Sequence, residues 1–180
     1  MPYAIAGYFD KYTDEKIKLL WTGLADIGVD DYLINSKNNP HVKFAMYEDI
    51  DVKKAEQAIA TITKSKGKIP IQFKTYSFYP NEKPFLCIDL AVSHLILDLQ
   101  ADIRNSFDKL AKLYNINFFD QGIWKPDCQL TIEFEKGKLN KAIEFLSEKK
   151  LPIDGTIERI GLIEFHPAKQ LFSYELNENL

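Results

Sequence analysis

The chain has 180 residues, 46% of them apolar, and a formal net charge of −3 at pH 7. The apolar content excludes global disorder, and the length allows one domain with a substantial core. The weakly negative charge argues against a broad nucleic-acid footprint, which needs clustered cations, but it allows a local basic cleft. No apolar run approaches the roughly 18 residues that cross a membrane, so we expect no membrane contact.

The two cysteines, Cys87 and Cys128, lie in apolar, strand-like runs, where buried free thiols are expected. No ligand spacing typical of a metal site is present, and no cofactor is implied. The segment 1–7 lacks the basic lead of a signal peptide. We therefore expect a reduced, cytoplasmic protein, and we expect it to be a monomer.

The first half of the chain alternates strands, helices and loops. Thr13 and Asp51 are the expected N-caps of its two helices, and Gly28 is the expected end of the first. The predicted order is strand, helix, loop, strand, helix and two strands, over 3–9, 13–28, 30–39, 41–47, 51–67, 69–76 and 85–92. The aromatic residues Tyr76, Phe78 and Tyr79 are expected in core and hairpin packing, with stacking on bases as the alternative.

The second half repeats this order. Ser93 is the expected cap of a long helix. The predicted elements are a helix, a loop, a strand, a helix and two strands joined by a turn at Pro167, over 93–113, 115–122, 127–134, 139–146, 157–165 and 171–176. No Ser- or Gly-rich linker separates the halves, so we predict one two-lobed α+β domain over 1–180. A doubly wound sheet would also suit alternating elements, but consecutive strands over 69–92 argue against it.

Two stretches of similar build carry the candidate site. Pro40 and Pro126, which lie 86 residues apart, each introduce a strand whose side chains alternate between two faces. The predicted open faces carry His41, Lys43 and Ala45 in the first strand and Asp127, Gln129 and Thr131 in the second. The predicted core faces carry Val42, Phe44 and Met46 in the first strand and Cys128, Leu130 and Ile132 in the second.

These stretches resemble the 2H phosphoesterase superfamily, which includes 2′-5′ RNA ligases and cyclic phosphodiesterases. The resemblance rests on Pro40-His41-Val42-Lys43-Phe44, on Trp124-Lys125-Pro126-Asp127-Cys128-Gln129-Leu130, and on the order of elements along nearly the whole chain. It implies an α+β fold of two lobes, centred on the strands at 40–47 and 126–134. The lobes would form two pseudo-symmetric antiparallel sheets, with helices outside and a central cleft.

In the superfamily each lobe carries the pattern Pro-His-x-Thr-hydrophobic, and this chain departs from it. His41 keeps the first histidine, whereas Lys43 replaces the first threonine. Asp127 replaces the second histidine, and Gln129 replaces the second threonine; Thr131 lies two residues further on the same predicted face. The resemblance implies His41 and Asp127 as catalytic groups, and it implies as phosphate-binding groups Lys43, Gln129 and Thr131.

The departures bear on proton transfer, because the family's two histidines act as general base and general acid on a phosphodiester. Imidazole suits both roles, with a pKa of about 6.5. Asp127, with an ordinary pKa of about 3.9, would be ionised near pH 7 and would repel a phosphate. It could be a base if His41 were the acid, or an acid if burial raised its pKa. Lys43 across the cleft is expected to lower that pKa.

Two arrangements of the site remain open from the sequence. In the simpler one, Lys43 and Asp127 form an ion pair across the position of the phosphate. In the other, His41 and Lys43 bind a phosphate and Gln129 supplies an amide N–H.

Three hypotheses about function follow from these arrangements. The first is a divergent enzyme acting on 2′,3′-cyclic phosphates or 2′-5′ linkages with weakened or altered catalysis. The second is a silent protein that binds a nucleotide or an RNA-end phosphate ester. The third is a scaffold that does not use the cleft.

Overall fold

The computed structural model describes residues 2–114, 117–165 and 168–178. The predicted turn at Pro167 lies outside these residues, as does the start of the loop predicted over 115–122. Eight strands are present in the described part: β1 Tyr3–Phe9, β2 His41–Ile50, β3 Ile69–Tyr79, β4 Phe85–Leu90, β5 Ala111–Leu113, β6 Asp127–Gln129, β7 Ile153–Glu164 and β8 Lys169–Glu175. The helices are α1 Lys11–Asp26, α2 Tyr32–Asn35, α3 Val52–Ser65, α4 His94–Phe107 and α5 Leu139–Ser147, with short 3₁₀ turns at Asn117–Phe119 and Lys136–Lys138.

The strands form one antiparallel sheet in the order β1-β2-β6-β4-β3-β7-β8, and β5 pairs with β2. Because β1 also pairs with β7, the hydrogen-bonded path of six strands returns on itself. The predicted α+β architecture of antiparallel strands with packed helices is confirmed. The two predicted sheets are joined into one, because β6 pairs with β2 on one side and with β4 on the other.

Local sequence signals account for the starts of α1, α3 and α4 and for the end of α1. The side chains of Asp51 and Ser93 accept backbone N–H groups at the starts of α3 and α4, as predicted. Gly28, with φ of 74°, follows the end of α1. Thr13 is not a cap, because it lies inside α1 and Asp10 accepts its backbone N–H at 2.9 Å. Thr13 is instead buried in the first turn of the helix.

The helix predicted over 93–113 ends at Phe107. The following residues turn, and Ala111–Leu113 become the short strand β5 along the edge of β2. Arg104 and Asp108 lie at this end of α4, where the guanidinium Nε is 2.8 Å from the carboxylate. Pairing with β2 therefore overrides the helical pattern of the sequence in its last turn.

The main core lies between the helices and one face of the sheet. A small second cluster, formed by Ala6, Tyr8 and Ile163, lies apart from it. Cys87 and Cys128 are buried free thiols, as predicted. Within the described residues, none of the helices has the length and apolar character needed to cross a membrane.

Candidate functional site

The pairing of β2 with β6 brings four of the predicted site residues together. Val42 lies opposite Cys128 in this antiparallel pair. The register places His41 opposite Gln129 and Lys43 opposite Asp127, all four on the same face of the sheet. Residues that are far apart in the sequence thus form one compact polar group at the junction of the two halves.

Two buried indoles hold this junction reciprocally. Trp21 of the first half donates its Nε1–H to the backbone oxygen of Gln129 at 2.9 Å. Trp124 of the second half donates its Nε1–H to the backbone oxygen of Lys43 at 3.0 Å. Each half therefore fixes the backbone from which the other half presents a polar side chain.

A β-bulge changes the predicted faces of β2. Ile5 pairs with Ala45, but Ala6 pairs with Lys43, so Phe44 is an extra residue that breaks the alternation. Phe44 and Ala45 are both fully buried, whereas Met46 lines a cavity together with Lys43. The predictions of Ala45 on the open face and Met46 on the core face are therefore wrong.

Thr131 does not reach the polar group. The strand β6 ends at Gln129 rather than near 134, so the alternation of faces stops before Thr131. The Thr131 side chain is fully buried, and its hydroxyl oxygen accepts the backbone N–H of Leu86 at 2.8 Å. The prediction that Thr131 shares the phosphate-binding face is wrong, and its role is to hold the chain beside β4.

A cavity of about 490 Å³ opens beside Lys43, Asp127 and Gln129. Its other lining residues are mainly apolar or aromatic: Met46, Tyr79, Phe85, Phe118, Phe119, Ile123, Trp124 and Lys125. Tyr79 stacks on Phe85 with ring centroids 4.4 Å apart. The sequence prediction missed the contribution of Phe118 and Phe119, because they lie in a segment that it described only as a loop.

Lys43 contacts Gln129 rather than Asp127. Its Nζ donates to Oε1 of Gln129 at 2.8 Å, and no ion pair joins Lys43 to Asp127 in the described structure. Burial lowers the pKa of Lys43, an effect that the nearby Asp127 carboxyl partly offsets. Because the amide oxygen of Gln129 faces Lys43, its amide nitrogen is left without a partner among the described residues.

Asp127 is held by Tyr79, whose hydroxyl donates to Oδ2 of Asp127 at 2.7 Å. Burial raises the pKa of Asp127 above its ordinary value, against the opposing effects of the Tyr79 hydrogen bond and of Lys43. Lys43 lowers this pKa as expected, but desolvation outweighs the attraction between the charges, so the net shift of the Asp127 pKa is upward. Asp127 keeps its proton to higher pH than an ordinary aspartate does.

His41 is 8% exposed, and its Nδ1 lies 2.7 Å from the backbone oxygen of Asn39. A carbonyl oxygen only accepts hydrogen bonds, so Nδ1 carries the proton of the neutral ring and Nε2 keeps its lone pair. Burial, followed by the charge of Lys43, lowers the pKa of His41 to about 4. His41 is thus neutral near pH 7 and suited to accept a proton rather than to donate one.

The arrangement unites a neutral imidazole, a carboxyl group with a raised pKa, a cation and an amide nitrogen that has no partner among the described residues. These are the components of metal-independent acid–base chemistry on an anionic ester. Among the residues that the structure describes, no group of three or more His, Cys, Asp or Glu side chains is placed to hold a metal ion.

No family model and no curated protein matches the sequence. Solved structures match the fold along almost its whole length. TT0787 of Thermus thermophilus has a TM-score of 0.67 at 12% identity, with 100% of both chains covered. LigT of E. coli, solved with 3′-AMP, has a TM-score of 0.58 at 11% identity, with 98% of this chain and 99% of that chain covered.

Usb1 of Kluyveromyces marxianus has a TM-score of 0.53 at 10% identity, with 94% of this chain and 97% of that chain covered. At such low identity these likenesses show the fold alone. They confirm that the chain resembles the 2H phosphoesterases in fold, as the two strand motifs predicted.

Proposed function

We propose that this protein, which has the fold of the 2H phosphoesterases, binds nucleotide or RNA-end phosphate esters and acts on 2′,3′-cyclic phosphates or 2′-5′ linkages with altered acid–base chemistry. The observation that carries the proposal is the convergence of His41, Lys43, Asp127 and Gln129 on one face of the β2–β6 pair. LigT has been solved with 3′-AMP, with ATP and with phosphate, which supports a phosphate-bearing ligand.

The phosphate would lie against Lys43 and Gln129. An ammonium group has three donors, and Gln129 occupies one of those on Lys43, so the others are available to phosphate oxygens. The amide nitrogen of Gln129 supplies a further donor. The adjoining cavity suits a base, because its lining is largely apolar and aromatic and includes the exposed ring of Phe118.

The two halves supply different proton-transfer groups for opening a cyclic phosphate. Nε2 of His41 takes a proton from a water molecule, whose oxygen attacks phosphorus. The bond from phosphorus to one ribose oxygen breaks, and protonated Asp127 gives its proton to that leaving oxygen. The products are a ribose phosphate monoester, protonated His41 and ionised Asp127, and return of the proton through solvent restores the site.

This assignment explains why catalysis would be weaker than with two ordinary histidines. A positioned acid or base contributes roughly 10²- to 10⁴-fold in rate and works best when its pKa lies near the working pH. A pKa of about 4 makes His41 a weak base in the free protein. A bound anionic phosphate favours the charged form of His41 and would raise its pKa toward neutrality.

A thermal-shift titration with 2′,3′-cyclic AMP, followed by a turnover assay on the same ligand, tests the proposal. We expect a saturable rise in melting temperature and slow opening of the cyclic phosphate. His41→Asn should keep the ligand-induced rise but lose turnover by at least about 100-fold. The matched control is His94→Asn, because His94 is exposed at the start of α4.

A protein that binds without turnover is the second candidate, and the low pKa of His41 favours it. Binding of 2′,3′-cyclic AMP with no turnover in the wild type would establish this alternative. Turnover that is equal in the wild type and in His41→Asn would refute the role of His41. Absence of any thermal shift with cyclic AMP, 2′-AMP and inorganic phosphate would leave the scaffold hypothesis.

A further inference from the structure

We propose that Tyr8 and Arg159 form a second anion-binding subsite beside His41, which receives the phosphate of the nucleotide that follows the ester held by Lys43 and Gln129. This inference rests on the proposed function and defines its ligand more narrowly. The ligand would be an oligonucleotide end with a phosphate on each side of a nucleoside, rather than a mononucleotide.

The sheet places the subsite in line with the polar group. Tyr8 of β1 lies opposite His41 of β2 on one side and opposite Arg159 of β7 on the other. Directly opposed residues share a face of a sheet, so Arg159 is on the same face as His41 and Gln129. The strands that carry Gln129 and Arg159 are three strand spacings apart in this part of the sheet, about 14 Å in total. One phosphate therefore cannot contact both Gln129 and Arg159.

The chain has two arginines, and they differ in the contacts they make among the described residues. Arg104 is bound by Asp108, Asp120 and the backbone oxygen of Phe119. Arg159 has no ion pair and no hydrogen bond from its guanidinium among the described residues, and its Cζ lies 5.3 Å from the centroid of the Tyr8 ring. A half-buried guanidinium with unused donors fits a phosphate group.

The hydroxyl of Tyr8 is an independent sign of a missing partner. Tyr8 is 2% exposed, and its hydroxyl is buried with no hydrogen-bond partner among the residues that the structure describes. Buried hydroxyl groups are rarely left unpaired, because the loss of solvation is not compensated. The ring is accommodated by Gly161, since a Cβ at that position would lie 2.9 Å from Cε2 of Tyr8. Thus Gly161 leaves space for the Tyr8 ring, and the described residues offer its hydroxyl no hydrogen bond.

No carboxylate of the described residues forms an ion pair with Arg159. Glu158 is engaged by Lys68 at 3.0 Å, and Asp14 is engaged by Lys18 at 2.7 Å. Glu175 lies opposite Arg159 on β8, and within the described part of the chain no ion pair joins the two side chains. Arg159 also borders an open cavity of about 320 Å³, to which Lys11 contributes a second cation.

Two probes that differ by one phosphate test the subsite: 2′-5′-linked adenylyl-adenosine with and without a phosphate on the 3′-oxygen of its second nucleoside. We expect the wild type to bind the phosphorylated probe at least about tenfold more tightly. Arg159→Gln should abolish this difference and leave the affinity for the unphosphorylated probe unchanged. Lys141→Gln, which removes one positive charge from the exposed side of α5, should preserve the difference.

Tyr8→Phe gives a second test, because it should change the stability of the free protein and its affinity for the phosphorylated probe in opposite directions. Removal of an unpaired buried hydroxyl should raise the melting temperature of the free protein by a few degrees and lower the affinity for the phosphorylated probe. Equal affinity for both probes in the wild type, or an undiminished preference in Arg159→Gln, would overturn the subsite alone. Failure of both probes to bind the wild type would overturn the proposed function and the subsite with it.

Discussion

The strands β2 and β6 occupy matching positions in the two halves but are built differently. β2 has ten residues and pairs along most of its length with β1, whereas β6 has three residues and depends on short pairings with β4 and β2. His41 is oriented by a backbone oxygen two residues before it, and Asp127 is oriented by a side chain from β3.

Burial nevertheless favours the neutral form of both side chains. It lowers the pKa of His41 and raises the pKa of Asp127, so that each group is pushed toward its neutral form. Burial also lowers the pKa of Lys43, the cation between them. The comparison teaches that this site disfavours isolated charge, and that an anionic ligand would relieve the cost of keeping Lys43 ionised.

The largest expected effect tests the buried imidazole of the first half. An unfolded His41 takes up a proton near pH 6.5, whereas the folded protein does so only near pH 4. The unfolded state binds more protons between these values, so stability is lost as pH falls from 6.5 to 4. The loss amounts to about 3 kcal/mol. His41→Asn should remove it, as measured by urea unfolding at a series of pH values.

His94→Asn is the control for this measurement, because it makes the same substitution at an exposed histidine. An acid dependence in His41→Asn as steep as that of the wild type would show that His41 does not titrate as a buried group.

The second-largest expected effect concerns Lys43, the cation that lies between His41 and Asp127. Lys43→Met keeps the length of the side chain but removes its charge and its hydrogen bond to Gln129. Loss of a charge-assisted hydrogen bond to phosphate is expected to weaken binding of 2′,3′-cyclic AMP by about 10- to 100-fold. Calorimetric titration measures the affinity, and Lys141→Gln controls for net charge. Undiminished binding in Lys43→Met would place the phosphate elsewhere.

Features set by neighbouring residues could be predicted from the sequence. The caps at Asp51 and Ser93, the end of α1 at Gly28 and most strands follow from short-range patterns. The two strands that carry His41 and Asp127 were found because each repeats the same build after a proline. The sequence therefore predicted the fold and the central four residues of the candidate site.

Features set by pairing across strands could not be predicted in this way. The bulge at Phe44 exists because β1 pairs with β2 in two registers, and it reverses the faces of Ala45 and Met46. Tyr8 meets Arg159 only through the pairing of β1 with β7, which joins the two ends of the chain. The net rise in the pKa of Asp127 could not be predicted, because the sequence shows the lysine that lowers this pKa but not the depth of burial that outweighs it.

The smallest expected effect tests the carboxyl group of the second half. Asp127→Asn keeps an oxygen that can accept the Tyr79 hydroxyl but removes the ionisation. Because the pKa of Asp127 is raised in the folded protein, its ionised form destabilises the fold at neutral pH. The destabilisation disappears as pH falls through that raised pKa. The variant should therefore melt higher than the wild type at neutral pH, and the difference should shrink in acid.

The same substitution should separate binding from catalysis. Removing a negative charge next to the phosphate should tighten binding of 2′,3′-cyclic AMP by several-fold near neutral pH. The wild type should bind this ligand more tightly as the pH falls and Asp127 takes up its proton. The variant should lack this pH dependence. Turnover should fall at the same time, because an amide cannot protonate the leaving ribose oxygen.

Asp98→Asn, on an exposed position of α4, is the matched control. Weaker binding in Asp127→Asn would mean that the carboxyl group contacts the ligand as an acceptor. In that case the two halves would differ in what they bind and not only in how they transfer a proton.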